Sequence, residues 1–404
     1  MDGLTHSLIG LTSAKAGLER LSPYTAAVCI LSANAPDIDV VSFFFGGRWT
    51  LLQHHRGITH SIVGTLVLGA LIPSIFFGIE RAIARWRKTA PRIRYPGLLL
   101  ASMIAAATHP LMDWTNNYGV RPLLPWDGSW FYGDLVFIVD PYLLLILGGA
   151  SFLLTSNRRA KIAGWALLAI AVTIVVLLAS PQRAAGGGTL TVARIIWISS
   201  VLVLVLARSL KLQKRVGKSL AVAALALVVL YCGALGRAHS VAYRKAVNQA
   251  NTIAAQRGER LMRAAAMPTV ANPFRWLCVA ETDRAMYRFI VGPGENTATV
   301  YAANSPAGGD SSALPPAIER FEKSTGAGEQ LVSSAARDPR AKVLLGFARF
   351  PIAQLESSDC IGRTLVQFAD LRYTEPGASR GNFSLSVPVE CPAPSIWLPV
   401  TKTS

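Results

Sequence analysis

Residues 61–79, SIVGTLVLGALIPSIFFGI, form the longest clearly apolar segment near the start of this chain. They contain no charged side chain, and about 20 apolar residues in a helix cross the roughly 30 Å hydrocarbon core of a bilayer. Comparable apolar runs lie near residues 97–115, 135–155, 160–180, 193–209 and 217–236. The sequence therefore predicts an all-α polytopic membrane domain with about six transmembrane helices.

The composition of the whole chain agrees with this prediction. Of the 404 residues, 51% are hydrophobic and only 16% are charged, which excludes an ordinary soluble enzyme. The formal net charge of +17 would suggest a nucleic-acid partner, but no basic face with interleaved aromatic residues occurs, so we expect no nucleic-acid partner. The five cysteines form no CxxC or CxxH pattern, which argues against a thiolate zinc site.

The loops between the apolar runs differ sharply in their content of Lys and Arg. Residues 80–96, 157–161 and 208–218 are rich in both, whereas residues 116–134 and 181–192 hold one Arg each. Because Lys and Arg are retained on the cytoplasmic side, the first three loops should be cytoplasmic and the other two extracytoplasmic. This predicts a multi-pass protein of a bacterial-type inner membrane.

The first 35 residues hold two short apolar segments, 4–19 and 22–35. Each is too short for a simple span, and Lys15 and Arg20 lie near the point where they meet. We interpret the segments as a tight helical hairpin whose open ends, at His6 and Asp37, lie on the outer side. No cleavable signal peptide is evident, so we expect the N-terminus to be retained.

The composition changes from about Ala238, where charges, prolines and glycines return. A helical segment is followed by short strand-like segments separated by turns, which predicts a soluble α+β domain. We therefore divide the chain into a helical membrane domain, 1–237, and an extracytoplasmic α+β domain, 238–404. Of the last three cysteines, two could form a disulfide or all three could be packed as thiols; these are Cys278, Cys360 and Cys391.

Ionisable side chains are rare in membrane segments, and here they cluster at one predicted face. All fall at extracytoplasmic ends or loops; they are His6, Asp37, Asp39, His54, His55, His60, His109, Asp113, Asp134 and Asp140. The spacing of His109 and Asp113 is i,i+4, which puts an imidazole and a carboxylate on one helix face. Imidazole with carboxylate suits zinc, iron or manganese.

The sequence thus predicts a site for one to three divalent ions, most simply zinc. The expected ligands are His6, Asp37, His55, His60, His109 and Asp113. Asp39 and Asp140 are candidates for a catalytic base or for a partner that orients a histidine, and Arg56, with Arg121, is a candidate for holding a phosphate. Two simpler interpretations stay open, because Asp37 or Asp39 could cap a helix and Asp140 could begin one.

The motifs that carry these residues resemble a known family. THSLIG (5–10), APDIDV (35–40), HHRGITHS (54–61) and THPLMD (108–113), followed by GDLVFIVDP (133–141), look like the motifs of the membrane-bound, metal-dependent hydrolases of the YdjM family. The resemblance covers about residues 1–160. More remotely, the order of His and Asp is similar to that of zinc-dependent phospholipase C.

The resemblance and the predicted site together imply a metal-dependent hydrolase. We expect it to cleave a phosphoester of a membrane lipid or lipid-linked substrate at the extracytoplasmic face. A transporter or metal permease is an alternative, because buried His and Asp also build ion pathways. A noncatalytic membrane anchor for the C-terminal domain is another, although it would leave the His/Asp cluster without a role.

Overall fold

The structure, a computed structural model, describes residues 1–178, 187–211, 217–292, 318–356, 362–378 and 383–391, with the backbone alone for 187–190. Within these ranges the α-helices of the first 256 residues are joined by short connections and by one longer irregular connection at residues 115–140. The α-helices are α1 (Gly3–Lys15), α2 (Thr25–Asn34), α3 (Phe43–His54), α4 (Ile62–Trp86), α5 (Tyr95–Trp114), α6 (Pro141–Thr155), α7 (Arg159–Leu178), α8 (Gly187–Ser209) and α9 (Lys218–Gln256). Short 3-10 helices lie at Leu18–Arg20, Ala35–Ser42 and Ile58–His60.

Five helical segments of the described chain are long and apolar enough to cross a membrane. They are Thr25–His54, Ile62–Trp86, Arg159–Leu178, Thr191–Ser209 and Lys218–Gln256. Four of them match predicted spans, whereas the first falls on the predicted hairpin and on the segment after it. The expected spans at 97–115 and 135–155 become α5, which buries one face inside the bundle, and α6, which has only 15 residues.

The predicted N-terminal hairpin is formed by α1 and α2. They pack against each other and against α5 through a core of small side chains that includes Ala14, Cys29 and Ala105. Gly10 permits this close approach, because a Cβ there would lie 2.6 Å from the carbonyl oxygen of Cys29. The hairpin therefore brings α1 and the end of α2 against α5, which carries the HxxxD motif.

Helix α9 joins the membrane region to the soluble region without a break. Its 39 residues would extend about 59 Å, which is longer than a bilayer core. Its second half packs through Ala246, Ala250 and Ile253 onto the first sheet of the soluble region. The boundary that we predicted at residue 237 consequently lies inside one helix rather than in a linker.

The soluble region contains two small antiparallel sheets. The first has the order β1-β2-β3-β4, formed by Leu261–Thr269, Asn272–Thr282, Ala285–Val291 and Glu319–Glu322; the second has the order β5-β6-β7, formed by Pro351–Leu355, Arg363–Asp370 and Ser384–Glu390. Helices α10 (Ala327–Ala335) and α11 (Pro339–Phe347) pack on the second sheet. Cys391 is disulfide-bonded and Cys278 is a buried free thiol, so the three cysteines are not all packed as thiols; Cys360 lies outside the described residues.

The soluble region also contacts the connection between α5 and α6. Arg349 forms a 2.7 Å ion pair with Asp134, and the Trp130 indole donates to the carbonyl of Gly346 at 3.3 Å. The ring of Tyr118 packs into the core of the second sheet. The two regions of the chain therefore share an interface at residues 116–134.

Candidate metal centre

Three segments that are distant in sequence meet at one point, and one of them is α5. The 3-10 helix Ala35–Ser42 continues directly from α2 and carries Asp37, while the 3-10 helix Ile58–His60 ends at His60 just before α4. His109 and Asp113 lie on the buried face of α5. The i,i+4 spacing, read from sequence, thus places both side chains on one face as predicted.

These four side chains bring together two imidazole nitrogens and two carboxylate oxygens. Nε2 of His60 lies 3.3 Å from Asp37 Oδ1 and 3.4 Å from Asp113 Oδ2. Nε2 of His109 lies 3.5 Å from each of the same two oxygens. The two Nε2 atoms are 3.1 Å apart, and all four ligand atoms fall within 4.8 Å of one another.

Hydrogen bonds on the far side of each ring fix which nitrogen faces the cluster. Nδ1 of His109 donates to the carbonyl oxygen of Ala33 at 2.6 Å. Nδ1 of His60 lies 3.2 Å from Asp39 Oδ2, which can accept its proton. A neutral imidazole that donates from Nδ1 has its lone pair on Nε2. With Nδ1 protonated and the rings neutral, both Nε2 atoms would present lone pairs to each other and to two carboxylates, an arrangement that a cation between them would stabilise.

The burial of these side chains and their charge also indicate a cation at the centre of the cluster. The side chains of His60, His109 and Asp113 are at most 1% exposed, and only Asp37 is reached by solvent, at 25%. Burial lowers the pKa of His60, but hydrogen bonds to Asp113, Asp37 and Asp39 outweigh it and raise that pKa to about 10. The pocket thus favours a positive charge at its centre, either a proton or a metal ion.

The distances also fit the size of a metal ion. Tetrahedral zinc with ligands at 2.0–2.1 Å has ligand atoms about 3.3–3.4 Å apart. The five measured separations among these four atoms run from 3.1 to 3.5 Å. The donor set and its spacing therefore match a divalent ion that is bound by nitrogen and oxygen.

Asp39 forms a second group of possible metal ligands with His55 and His60. Its Oδ1 accepts from His55 Nδ1 at 2.9 Å, and its Oδ2 lies 3.0 Å from the backbone nitrogen of Arg56 and 3.1 Å from the hydroxyl of Thr59. With His60 included, four donors surround this carboxylate. Asp39 is therefore well placed to orient His60, the role that we predicted as one of its alternatives.

His6 lies beside the four-residue group. Its Nε2 is 3.3 Å from Asp113 Oδ1, and its ring stacks on that of His109 with centroids 3.8 Å apart. Nδ1 of His6 is buried and has no hydrogen-bond partner among the described residues. The backbone amine of Met1 also contacts Asp113 Oδ1. Oδ2 of Asp113 thus faces His60 and His109, and Oδ1 faces His6.

Arg56 has protein partners on both terminal nitrogens. Nη2 donates to Asp113 Oδ1 at 3.1 Å, and Nη1 donates to Asn116 Oδ1 and to the carbonyl of Gly119, both at 2.9 Å. The guanidinium also stacks on Tyr118, 4.5 Å from the ring centroid. Arg56 is 3% exposed. Its geometry therefore suits the anchoring of Asp113 and of the 116–119 turn better than the capture of a phosphate.

Three other predicted polar residues lie outside the cluster. Asp140 caps α6, because it accepts from the backbone nitrogens of Tyr142 and Leu143 and from the hydroxyl of Tyr231. This is the simpler of its two predicted roles. Asp134 pairs with Arg349, and His54 is exposed at the end of α3.

Some contributors to the site were not predicted from sequence. The carbonyl of Ala33 orients His109, and Asn116 holds Arg56. From the soluble region, Arg372 donates to the carbonyl of Asn117 at 2.8 Å, so it braces the same turn from the other side. A backbone carbonyl leaves no signal in a sequence, whereas the Asn pair at 116–117, three residues after Asp113 of the HxxxD motif, is a signal that composition alone does not single out.

Comparison with known proteins relates the helical region to inner membrane proteins. Residues 1–184 match the family model described as YdjM inner membrane protein. The chain is 32% identical over 145 residues to inner membrane protein YbcI of Escherichia coli (strain K12), covering 35% of this chain and 78% of YbcI. It is 26% identical over 155 residues to uncharacterized protein YfhP of Bacillus subtilis (strain 168), covering 36% of this chain and 43% of YfhP, less than half of that relative. No solved structure matches the chain.

Proposed function

This chain belongs to the YdjM inner membrane protein family, and we propose that it is a membrane-embedded hydrolase whose site holds one divalent metal ion, most simply zinc. The ligands would be Asp37, His60, His109 and Asp113. The observation that carries the proposal is the pair of Nε2 atoms, 3.1 Å apart, that face each other and two carboxylate oxygens. Hydrophobic packing alone would not produce that arrangement, because like partial charges repel in a buried site.

The surrounding residues divide into those that bind and those that orient. Asp39 holds the ring of His60, and His55 in turn holds Asp39. His6 and Arg56 hold the oxygen of Asp113 that faces away from the group. Such outer partners fix the orientation and basicity of metal ligands. We therefore assign His6, His55, Asp39 and Arg56 to positioning rather than to direct metal binding.

The chemistry that fits this site is attack of water on a phosphoester. When bound, a divalent ion supplies a Lewis acid that polarises a phosphoryl oxygen and lowers the pKa of water toward neutrality. A catalytic metal needs a coordination position for water or substrate in addition to its protein ligands, so with four protein ligands the ion would have to accept a fifth. Asp37 is the exposed member of the group. Substrate would thus approach beside Asp37. Arg121, the other candidate for holding a phosphate, donates from Nε and Nη2 to the backbone carbonyls of Arg56 and Gln53.

The surface beside Asp37 favours a lipid or lipid-linked substrate. The segment that carries Asp37 and Asp39 turns Ile38 outward at 60% exposure, and Phe44 and Phe45 follow at 82% and 83%. Large apolar side chains so exposed belong in a bilayer or against a partner. An amphiphile could therefore keep its chains in the membrane while its phosphate reaches the cluster.

The disulfide at Cys391 bears on the predicted orientation of the chain. Structural disulfides form in oxidising compartments and are rare in the cytosol. Because the soluble region contacts the 116–134 connection beside the cluster, both would lie on the same side of the membrane. We therefore place the soluble region and the site at the extracytoplasmic face.

Hydrolysis by metal-stripped and metal-reconstituted protein tests the proposal. The full chain, purified in detergent, is assayed with bis(p-nitrophenyl) phosphate and with phospholipid in mixed micelles, before and after addition of Zn²⁺, Mn²⁺ or Fe²⁺. We expect activity that depends on metal, is lost in His60→Ala, and is kept in the matched control His54→Ala, whose side chain lies outside the cluster. Tightly bound metal without hydrolysis of any phosphoester would refute the enzymatic part and leave a structural metal site.

A further inference from the structure

A second ligand-sized space lies among the membrane helices, apart from the metal centre. It is an apolar groove of about 430 Å³ between α6, α7 and α8, closed at one side by α1. Its wall includes Trp165, Trp197 and Leu204, and two glycines of α6, Gly148 and Gly149, leave room for it. None of the cluster residues lines it. Its volume is in the range of small-molecule sites in proteins.

One end of this groove is polar and basic. Arg208 and Ser209, at the last turn of α8, line that end. The guanidinium of Arg208 is held there by hydrogen bonds from Nε to the Ser156 hydroxyl at 2.9 Å and from Nη2 to the Ser156 carbonyl at 2.6 Å. Further cations follow at the same ends of the helices, at Arg158, Arg159, Lys161 and Lys211, and all four are exposed.

We propose that this groove is a binding site for an anionic phospholipid of the bilayer, with an acyl chain between α6, α7 and α8 and the phosphate at Arg208. The apolar walls match a hydrocarbon chain, and the basic end matches a negative headgroup. Basic pockets between membrane helices are recognised sites for anionic lipid headgroups. The inference does not depend on the metal centre or on its activity.

Two pairs of matched variants test both parts of the site. Gly148→Leu fills the groove from its floor, where a Cβ would meet only Leu8 at an ordinary 3.7 Å. Its control is Gly164→Leu on α7, where a Cβ would have no neighbour within 4 Å. Arg208→Gln removes the cation, and its control is Arg194→Gln near the other end of α8, whose Nη2 likewise donates to a backbone carbonyl.

The experiment measures lipid retention by native mass spectrometry and thermal unfolding of the full chain in detergent. The probes are phosphatidylglycerol and phosphatidylcholine with identical acyl chains. We expect wild type and both controls to retain phosphatidylglycerol preferentially and to gain thermal stability from it. Arg208→Gln should weaken retention about fivefold, as expected for the loss of one basic contact with an anionic headgroup, and Gly148→Leu should abolish it.

Three outcomes would overturn the proposal. Equal retention of both lipids by wild type would mean that no anionic headgroup is recognised. Unchanged retention in Gly148→Leu would place the lipid elsewhere. Equal loss in Arg208→Gln and Arg194→Gln would mean that overall charge, rather than this end of the groove, attracts the lipid.

Discussion

Replacement of Asp39 tests whether this residue orients the metal ligand His60 or binds the metal itself. In Asp39→Asn the amide oxygen can keep the Oδ2 position, which lies near His60, Thr59 and the backbone nitrogen of Arg56. The amide nitrogen then faces His55, which can accept from it as the other tautomer. The variant therefore loses mainly the negative charge behind His60. Loss of such an outer partner weakens metal binding by 10- to 100-fold. We therefore expect the metal affinity of Asp39→Asn to fall about tenfold, which is roughly 1.4 kcal/mol of binding free energy.

Asp39→Ala removes all four hydrogen bonds and should approach the 100-fold end of that range. The assay is competition for metal against a chromogenic chelator in detergent. Asp127→Asn is the control, because Asp127 is exposed and bonds only to Ser129 among the described residues. Asp37→Ala, which removes a proposed ligand, should lose far more affinity than either Asp39 variant. Equal losses at Asp39 and Asp37 would show that Asp39 binds the metal directly, and no loss in Asp39→Ala would show that it plays no part.

Substitutions at three further positions probe the surroundings of the site. Arg56→Ala removes one of two cationic groups that contact Oδ1 of the buried Asp113, the other being the Met1 amine. Thermal unfolding in detergent should therefore show a loss of about 1–3 kcal/mol, of which Arg56→Lys should recover part. Arg372→Gln weakens the hydrogen bond to the carbonyl of Asn117, so limited proteolysis should cleave the 116–134 connection faster. Unchanged cleavage would mean that other contacts hold this connection to the soluble region. Asp140→Ala removes the N-cap of α6 and should lower the free energy of unfolding by about 1 kcal/mol, while the metal content stays at the wild-type level. Loss of metal in this variant would show that Asp140 takes part in the metal site.

Sequence patterns predicted the membrane helices and much of the cluster because both depend on local rules. An apolar run of spanning length has few alternatives, and the i,i+4 spacing of His109 and Asp113 fixes a shared helix face. The predicted spans at 97–115 and 135–155 were harder to interpret. α5 combines apolar length with a polar buried face, and α6 is too short for the simple criterion.

The division of roles within the cluster could not be predicted, because it depends on contacts between distant segments. Asp37 and Asp39 are two residues apart and chemically identical, yet one faces Nε2 of His60 and the other faces its Nδ1. Arg56 has the charge expected of a phosphate ligand, but the turn at Asn116, 60 residues later, occupies its donors. The contribution of the soluble region through Arg372 was likewise invisible, since it depends on how two separately predicted regions meet.

Elemental analysis of the detergent-purified chain tests the claim that Asp37, His60, His109 and Asp113 bind one divalent ion. The comparison is a His109→Ala/Asp113→Ala double variant of equal monodispersity. We predict close to one equivalent of zinc, manganese or iron in wild type and none above background in the double variant. Equal and negligible metal in both proteins, even after incubation with each ion, would contradict the claim.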